Sequence, residues 1–185
     1  MSLRRSLVGT VAALAATVAW TGVADTAPAR ANDSKSAGTL QNDMSYLRNW
    51  LSGKCADVAG YSSENGARVQ NWDCTTGTNQ RWEFVPSGDG TYYYLVAQHS
   101  GKCLTVDTSR PNGDFGGGVG QWQCLGQNNQ MWRKAYAGNN AYNLVARHNG
   151  KCLDLDTRGG LGNGATIHNW SCTYGTNQLW QLDRV

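Results

Sequence analysis

The sequence predicts an all-β domain built from three similar repeats. Three short motifs recur in the same order in each repeat: Gly-Lys-Cys, then Trp-x-Cys, then Asn-Gln-x-Trp. The Gly-Lys-Cys tripeptides begin at Gly53, Gly101 and Gly150, at intervals of 48 and 49 residues. The apolar residues come in short runs, rich in β-branched and aromatic side chains and bounded by Gly, Asn and Ser, as is typical of strands. No stretch keeps the apolar spacing of a helix.

The N-terminal segment does not share this pattern. Arg4 and Arg5 precede a run of small apolar residues over 7–20, and Ala29-Arg30-Ala31 forms a small-x-small cleavage site. This arrangement predicts a secretory signal peptide over residues 1–31, too short and too weakly apolar to form a stable membrane span. Residues 32–45 are small and polar, and we expect them to form a flexible arm. The mature protein is therefore expected to be secreted.

The charge of the mature chain argues against two classes of partner. The full chain has 16 Lys and Arg against 13 Asp and Glu, but cleavage after Ala31 removes three basic residues and one acidic residue, leaving about +1. So small a net charge gives no indication of binding to nucleic acid or to an anionic membrane. We expect neither partner, and we expect a monomer.

The repeats define one domain. Strand-length runs occur at 92–96, 103–106, 142–145 and 152–155, with Gly- and Asn-rich turns between them. One unit of about 48 residues is too small to bury an apolar face alone, so the three units are expected to share a core. The predicted domain spans residues 46–185, with repeats at about 46–88, 89–137 and 138–185.

Six cysteines lie in the predicted domain, two in each repeat. Six cysteines allow fifteen pairings, and the sequence alone leaves these open. The repeated pattern favours disulfides within each repeat, namely Cys55–Cys74, Cys103–Cys124 and Cys152–Cys172. No Cys-x-x-Cys occurs, so export and the even count favour disulfides over a zinc site. We expect no metal and no cofactor.

The motifs together resemble the ricin-type lectin domain. The resemblance rests on two motifs. Gly-Lys-Cys lies near the start of each repeat and is extended to Gly-Lys-Cys-Leu-Asp in the third, and Gln-x-Trp lies at the end of each repeat. This family includes carbohydrate-binding modules of secreted microbial xylanases and arabinosidases. The resemblance covers about residues 44–185 and implies a β-trefoil, a six-stranded barrel capped by three hairpins. It also implies one potential sugar pocket per repeat, here named the first, second and third pockets.

A sugar pocket needs an aromatic ring for the C–H face of a pyranose and polar groups for its hydroxyls. In the first repeat the resemblance implies that Asp57 binds hydroxyls and Trp72 stacks on the sugar. It implies further that Gln70 is a neighbouring polar contact and that Asn79 is an amide contact supported by Gln80. The third repeat supplies the corresponding set: Asp154, His168, Trp170, Asn177 and Gln178.

The second repeat departs from this pattern. Thr105 stands where the aspartate is expected, and Gly120 stands where Gln70 or His168 would be, although Trp122 remains. Loss of the carboxylate removes the strongest hydroxyl acceptor, so the second pocket is expected to be inactive or weak. The same loss suggests that the fold does not need the aspartate.

Other interpretations of these residues stay open at this point. The last tryptophan of each repeat is interpreted as core, the glutamine of each Gln-x-Trp is expected to bond mainly to backbone, and Trp72 and Trp170 could also belong to the core. Asp57 and Asp154 could be turn residues.

Three function classes are considered. We favour a secreted lectin that recognises galactose-, xylose- or arabinose-type sugars, or plant and microbial polysaccharides containing them. A glycosidase is disfavoured, because it needs two carboxylates about 5–10 Å apart and the aspartates lie in different repeats. The alternative is a protein-binding β-trefoil such as a secreted protease inhibitor, which could use the long loop over 109–118.

Overall fold

The structure is a computed structural model that describes residues 44–109 and 117–185. Within these ranges the chain forms twelve strands: Met44–Asn49 (β1), Cys55–Val58 (β2), Val69–Trp72 (β3), Arg81–Pro86 (β4), Tyr93–Ala97 (β5), Cys103–Val106 (β6), Gly117–Trp122 (β7), Met131–Gly138 (β8), Ala141–Ala146 (β9), Cys152–Leu155 (β10), Ala165–Trp170 (β11) and Trp180–Arg184 (β12). Short 3₁₀ turns lie at Ala59–Tyr61, Thr78–Gln80, Asn128–Gln130 and Thr176–Gln178.

Some of the predicted segments fall outside the described ranges. They are the signal peptide, the arm as far as residue 43, and most of the loop over 109–118. Strand β1 begins at Met44, two residues before the predicted domain boundary. It does so because Ser45 is buried and pairs with both Trp82 and Arg184. In the part of the chain that the structure describes, no helix is long and apolar enough to cross a membrane.

The pairing of the strands confirms the β-trefoil. Strands β1, β4, β5, β8, β9 and β12 pair in turn around a closed six-stranded barrel, each antiparallel to the next. The remaining strands form three hairpins, β2–β3, β6–β7 and β10–β11, one in each repeat. Closure leaves the barrel without an unpaired edge.

The core is built from equivalent residues of the three repeats. Trp82, Trp132 and Trp180 are fully buried, which confirms that the last tryptophan of each motif belongs to the core. Each indole Nε1 donates to a backbone carbonyl on the first hairpin strand of its own repeat, at 3.0 Å in every case. A buried indole N–H needs such a partner, and here the bond fixes the hairpin to the barrel.

The disulfides are those that the repeats favour: Cys55–Cys74, Cys103–Cys124 and Cys152–Cys172. The paired Cα atoms are 5.0–5.2 Å apart, within the usual range for such bonds. Each bond closes a loop within one repeat, and on the chain-entropy estimate each stabilises the fold by about 3 kcal/mol. No disulfide among the described residues therefore joins two repeats.

Two of the hairpins are also held by a loop from another repeat. The loop before β3 bonds to β7 of the second repeat: Gly66 N donates to Gln121 O at 2.8 Å, and Gln121 N donates to Ala67 O at 2.9 Å. The loop before β11 bonds to β3 of the first repeat in the same way, with Gly164 N donating to Asn71 O at 2.8 Å. These loops join the repeats where the pockets are formed.

The close approach of the first repeat explains Gly120. A Cβ built at Gly120 would lie 2.8 Å from Ala67 O, closer than real Cβ contacts. The glycine is thus required by packing between repeats, whereas Gly118, on the same strand, has no atom within 4 Å of a built Cβ.

We therefore expect Gly120→Ala to lower the free energy of unfolding by about 1–3 kcal/mol through overpacking. Gly118→Ala is the matched control on the same strand. It should leave the free energy unchanged or raise it by up to about 1 kcal/mol, since alanine restricts the unfolded chain. Urea denaturation of both variants tests this, and equal midpoints for the two variants would contradict it.

Candidate functional site

The first pocket is organised around Asp57 on β2. This residue is 5% exposed and lies opposite Gln70 on β3 in the hairpin register. Its Oδ1 accepts from Gln70 Nε2 at 3.2 Å, and its Oδ2 accepts from Asn79 Nδ2 and from Gln80 Nε2, each at 2.8 Å. Four of the predicted site residues are thus brought together by one carboxylate.

The third pocket repeats this arrangement around Asp154 on β10, which is 3% exposed. Its Oδ1 bonds with His168 Nε2 at 2.8 Å, in the place of Gln70. Its Oδ2 accepts from Asn177 Nδ2 at 3.0 Å and from Gln178 Nε2 at 2.6 Å. The two aspartates therefore have equivalent partners, although one partner is an amide and the other an imidazole.

The carboxylates keep some capacity to accept further hydrogen bonds. Each carboxylate has about four lone-pair positions, and three donors occupy three of them, which leaves one on Oδ1. Asn79 and Asn177 use their Nδ2 groups on the aspartate and on a backbone carbonyl, while Oδ1 of each has no partner among the described residues. Each pocket thus offers a carboxylate oxygen and an amide oxygen to donors such as sugar hydroxyls.

Gln80 and Gln178 act through the aspartates. Both are fully buried, so they support the site and do not contact a bound molecule. Gln80 Oε1 accepts from Thr75 N at 2.7 Å, and Nε2 donates to Asp73 O at 2.9 Å. The expected bonds to backbone are therefore present, and the supporting role given to these residues agrees with their position.

The tryptophans before the second cysteine of each repeat differ from those of the core. Trp72 is 39% exposed and Trp122 is 44% exposed, while Trp170 is half-buried. His168 stacks on Trp170 at 5.4 Å between ring centroids, and the Arg158 guanidinium lies 5.8 Å from the centre of the Trp170 indole. Exposed indole faces can cover the C–H face of a sugar, so these residues fit the expected stacking role.

Asp156 and Arg158 are residues of the third pocket that the sequence did not identify. They line a cavity of about 270 Å³ together with the predicted residues Asp154, His168, Trp170 and Asn177. Arg158 Nε and Nη2 donate to the two oxygens of Asp156 at 2.9 and 2.8 Å, and this bond lowers the pKa of Asp156 to about 2. Asp156 therefore stays ionised at all ordinary pH values. The alternation of Asp154 and Asp156 was a signal for the second carboxylate, since side chains two apart share one side of an extended chain, whereas Arg158 lies in the turn beyond β10.

The second pocket differs in its charge and in its space. Thr105 Oγ1 accepts from Gln130 Nε2 at 3.1 Å, so threonine replaces one of the bonds made by the aspartates. Thr105, Gly120 and Trp122 line a cavity of about 560 Å³ that also includes Arg68 of the first repeat. The repeat that lacks the aspartate therefore has a larger cavity than the third repeat, at about 560 Å³ against about 270 Å³.

Comparison with known proteins agrees with this geometry. The family model of the ricin-type beta-trefoil lectin domain matches residues 43–180. The designed threefold-symmetric protein ThreeFoil is 39% identical with a TM-score of 0.72, and the match covers 78% of this chain and 100% of that one. The exo-β-1,3-galactanase 1,3Gal43A from Clostridium thermocellum is 34% identical with a TM-score of 0.71, over 77% of this chain and 30% of the galactanase. The Macrolepiota procera ricin B-like lectin, solved with lactose, shares the fold at 21% identity and a TM-score of 0.63, over 77% of this chain and 95% of the lectin.

The buried position of Asp57 corrects the expectation that the fold does not need it. Asp57→Ala leaves three amide groups without their acceptor, and we expect it to lower the free energy of unfolding by about 1–3 kcal/mol. Asp57→Thr is the matched variant, because a threonine at this position can accept from Gln80 as Thr105 does from Gln130. It should lose less stability than the alanine variant in urea denaturation. Wild-type stability of Asp57→Ala would show that these bonds contribute nothing.

Proposed function

Because the chain belongs to the ricin-type β-trefoil lectin domain family, we propose that it is a lectin that binds carbohydrates through the first and third pockets. The observation that carries the proposal is the equivalence of these two pockets. In each, a carboxylate held by three side-chain donors lies in the same repeat as a partly exposed tryptophan. This combination suits a pyranose, which has an apolar face and a rim of hydroxyls.

We propose galactose-, xylose- or arabinose-type sugars as ligands, free or within plant and microbial polysaccharides. The Macrolepiota procera lectin bound to lactose and the exo-β-1,3-galactanase support a galactose-type sugar among these. A pocket for one or two sugar rings gives weak affinity, since the cost of association offsets most of so small a contact. Two such pockets on one rigid domain would raise the affinity for a repetitive polymer through avidity. We further propose a monomer as the binding unit.

We also propose that the protein catalyses no hydrolysis. A glycosidase needs a carboxylic acid with a raised pKa beside a second carboxylate. In the third pocket the second carboxylate is Asp156, and its bond with Arg158 lowers its pKa to about 2, the opposite of what a general acid requires. Secretion is part of the proposal as well, because three disulfides are typical of an oxidising compartment.

The first test separates binding from catalysis. The protein should be retained on at least one insoluble polysaccharide among xylan, arabinan and galactan, and should release no reducing sugar from any of them. Reducing sugar that rises with time in proportion to the protein would contradict the absence of catalysis. The proposed lectin function would be contradicted if the protein is retained on none of these polysaccharides and also binds none of galactose, xylose and arabinose.

The second test assigns binding to the two pockets. Asp57→Thr and Asp154→Thr each remove a charged hydroxyl acceptor, which is worth about 1.5–3 kcal/mol and is enough to abolish a weak site. Each single variant should keep one monosaccharide site by calorimetry and lose most of its affinity for polymer, and the double variant should lose both sites. Thr105→Ala is the control at the equivalent position and should bind neutral sugars as the wild type does. If the double variant keeps wild-type affinity, the sugar binds elsewhere.

A further inference from the structure

We propose that the second pocket binds an acidic sugar, a pyranose that carries a carboxylate or a sulfate ester, with Arg68 as the anion-binding residue. This inference rests on the proposed lectin function and gives the second pocket a ligand class different from that of the other two. It changes the expectation that the second pocket is inactive, which holds here only for neutral sugars.

The second pocket retains the features that suit a sugar ring. Trp122 is 44% exposed at the cavity of about 560 Å³, so an indole face is accessible to the apolar side of a pyranose. Asn129 Nδ2 donates to Val106 O at 2.9 Å, as Asn79 does to Val58 O, and leaves its Oδ1 as an acceptor for hydroxyls. What is missing relative to the other pockets is the carboxylate and the polar side chain opposite it, which is Gln70 or His168 in those pockets and Gly120 here.

The group that replaces the carboxylate does not repel an anion. Thr105 Oγ1 donates to Cys103 O at 2.8 Å and accepts from Gln130, so it is a neutral group already engaged by the protein. In the first and third pockets an acidic sugar would meet Asp57 or Asp154, with an electrostatic penalty increased by their burial. Only the second pocket has no charge at this position.

Arg68 brings a positive charge to the same cavity. It forms an isolated bridge with Gly120, directly opposite the position of the missing side chain, and it is exposed. Its Nη2 donates to Gln70 Oε1 at 2.8 Å, while Nε and Nη1 have no partner among the described residues. A guanidinium with free donors suits a carboxylate or sulfate, which it can bind through two parallel hydrogen bonds.

The other pockets have no cation at the corresponding place. The residue opposite Gln70 is Thr166, and the residue opposite His168 is Gly118. The second cavity also includes Asp107, whose Oδ1 accepts from Ser109 N and Oγ at 2.9 and 2.6 Å. Among the described residues, the second cavity thus pairs one Asp with one Arg, whereas the third cavity has two Asp and one Arg. Of these two sets of described residues, only that of the third cavity has more Asp than Arg.

Calorimetry with galacturonate, galactose 6-sulfate and galactose tests the proposal on the wild type and three variants. Arg68→Gln removes the cation. Thr105→Asp introduces a carboxylate at the position that Asp57 and Asp154 occupy in the other two repeats. Arg133→Gln is the matched control, since it removes an exposed arginine from β8 that is not part of the cavity. We expect the wild type and Arg133→Gln to bind at least one acidic sugar, and the other two variants to bind it at least about tenfold more weakly. Galactose binding by Arg133→Gln should stay within about twofold of the wild type, because Arg133 lines neither the second nor the third cavity.

The outcomes distinguish this proposal from the lectin function. Galactose binding without binding of either acidic sugar by the wild type overturns the acidic pocket and leaves the lectin standing. Acidic sugars that bind Arg68→Gln and Thr105→Asp as tightly as they bind the wild type are held elsewhere, which also overturns the acidic pocket. Which of the two acidic sugars binds tells whether the anion is a carboxylate or a sulfate ester. Failure of all three sugars overturns the acidic pocket and the galactose specificity together, while the lectin function itself then depends on the xylan and arabinan tests.

Discussion

The structure depends on one constraint that is applied three times: the glutamine and tryptophan of each Gln-x-Trp must both be buried and both be hydrogen-bonded. The indole of Trp82 is anchored to the first hairpin strand of its repeat, and the amide of Gln80 closes the loop that follows the Trp-x-Cys. Leaving either group without its partner in the core would cost more than the bond itself contributes. The motif therefore fixes the barrel, the hairpin and the loop relative to one another.

The candidate pockets are extensions of this constraint. The same Gln80 amide that bonds the loop also bonds Asp57, and Gln178 does so for Asp154. A single carboxylate thus stabilises the fold and offers an acceptor to a ligand. The second repeat separates the two roles, because Thr105 keeps the bond to its glutamine while carrying no charge. The second repeat thus keeps its scaffold without the carboxylate that the other two repeats carry.

The second repeat differs from the others because its hairpin is packed closely against a loop of the first repeat. The first repeat approaches β7 so closely that only glycine fits at residue 120, and the same contact brings Arg68 into the second cavity. The departure of the second repeat at Gly120 is therefore a consequence of packing between two repeats. The charge of the second cavity follows from that contact.

The sequence by itself determined the number of repeats, the β class, the core tryptophans and the three disulfides, since each is expressed as a residue type at a fixed interval. The resemblance of its motifs further predicted the residues that the structure brings together around Asp57 and Asp154. It could not determine how far the aspartates are buried, because burial of Asp57 depends on three donors from β3 and from the turn at Thr78–Gln80. Nor could it place Arg68 in the pocket of another repeat or explain Gly120. Those features arise from contacts between segments about 50 residues apart, which periodicity within one repeat does not encode and only the closed trefoil brings together.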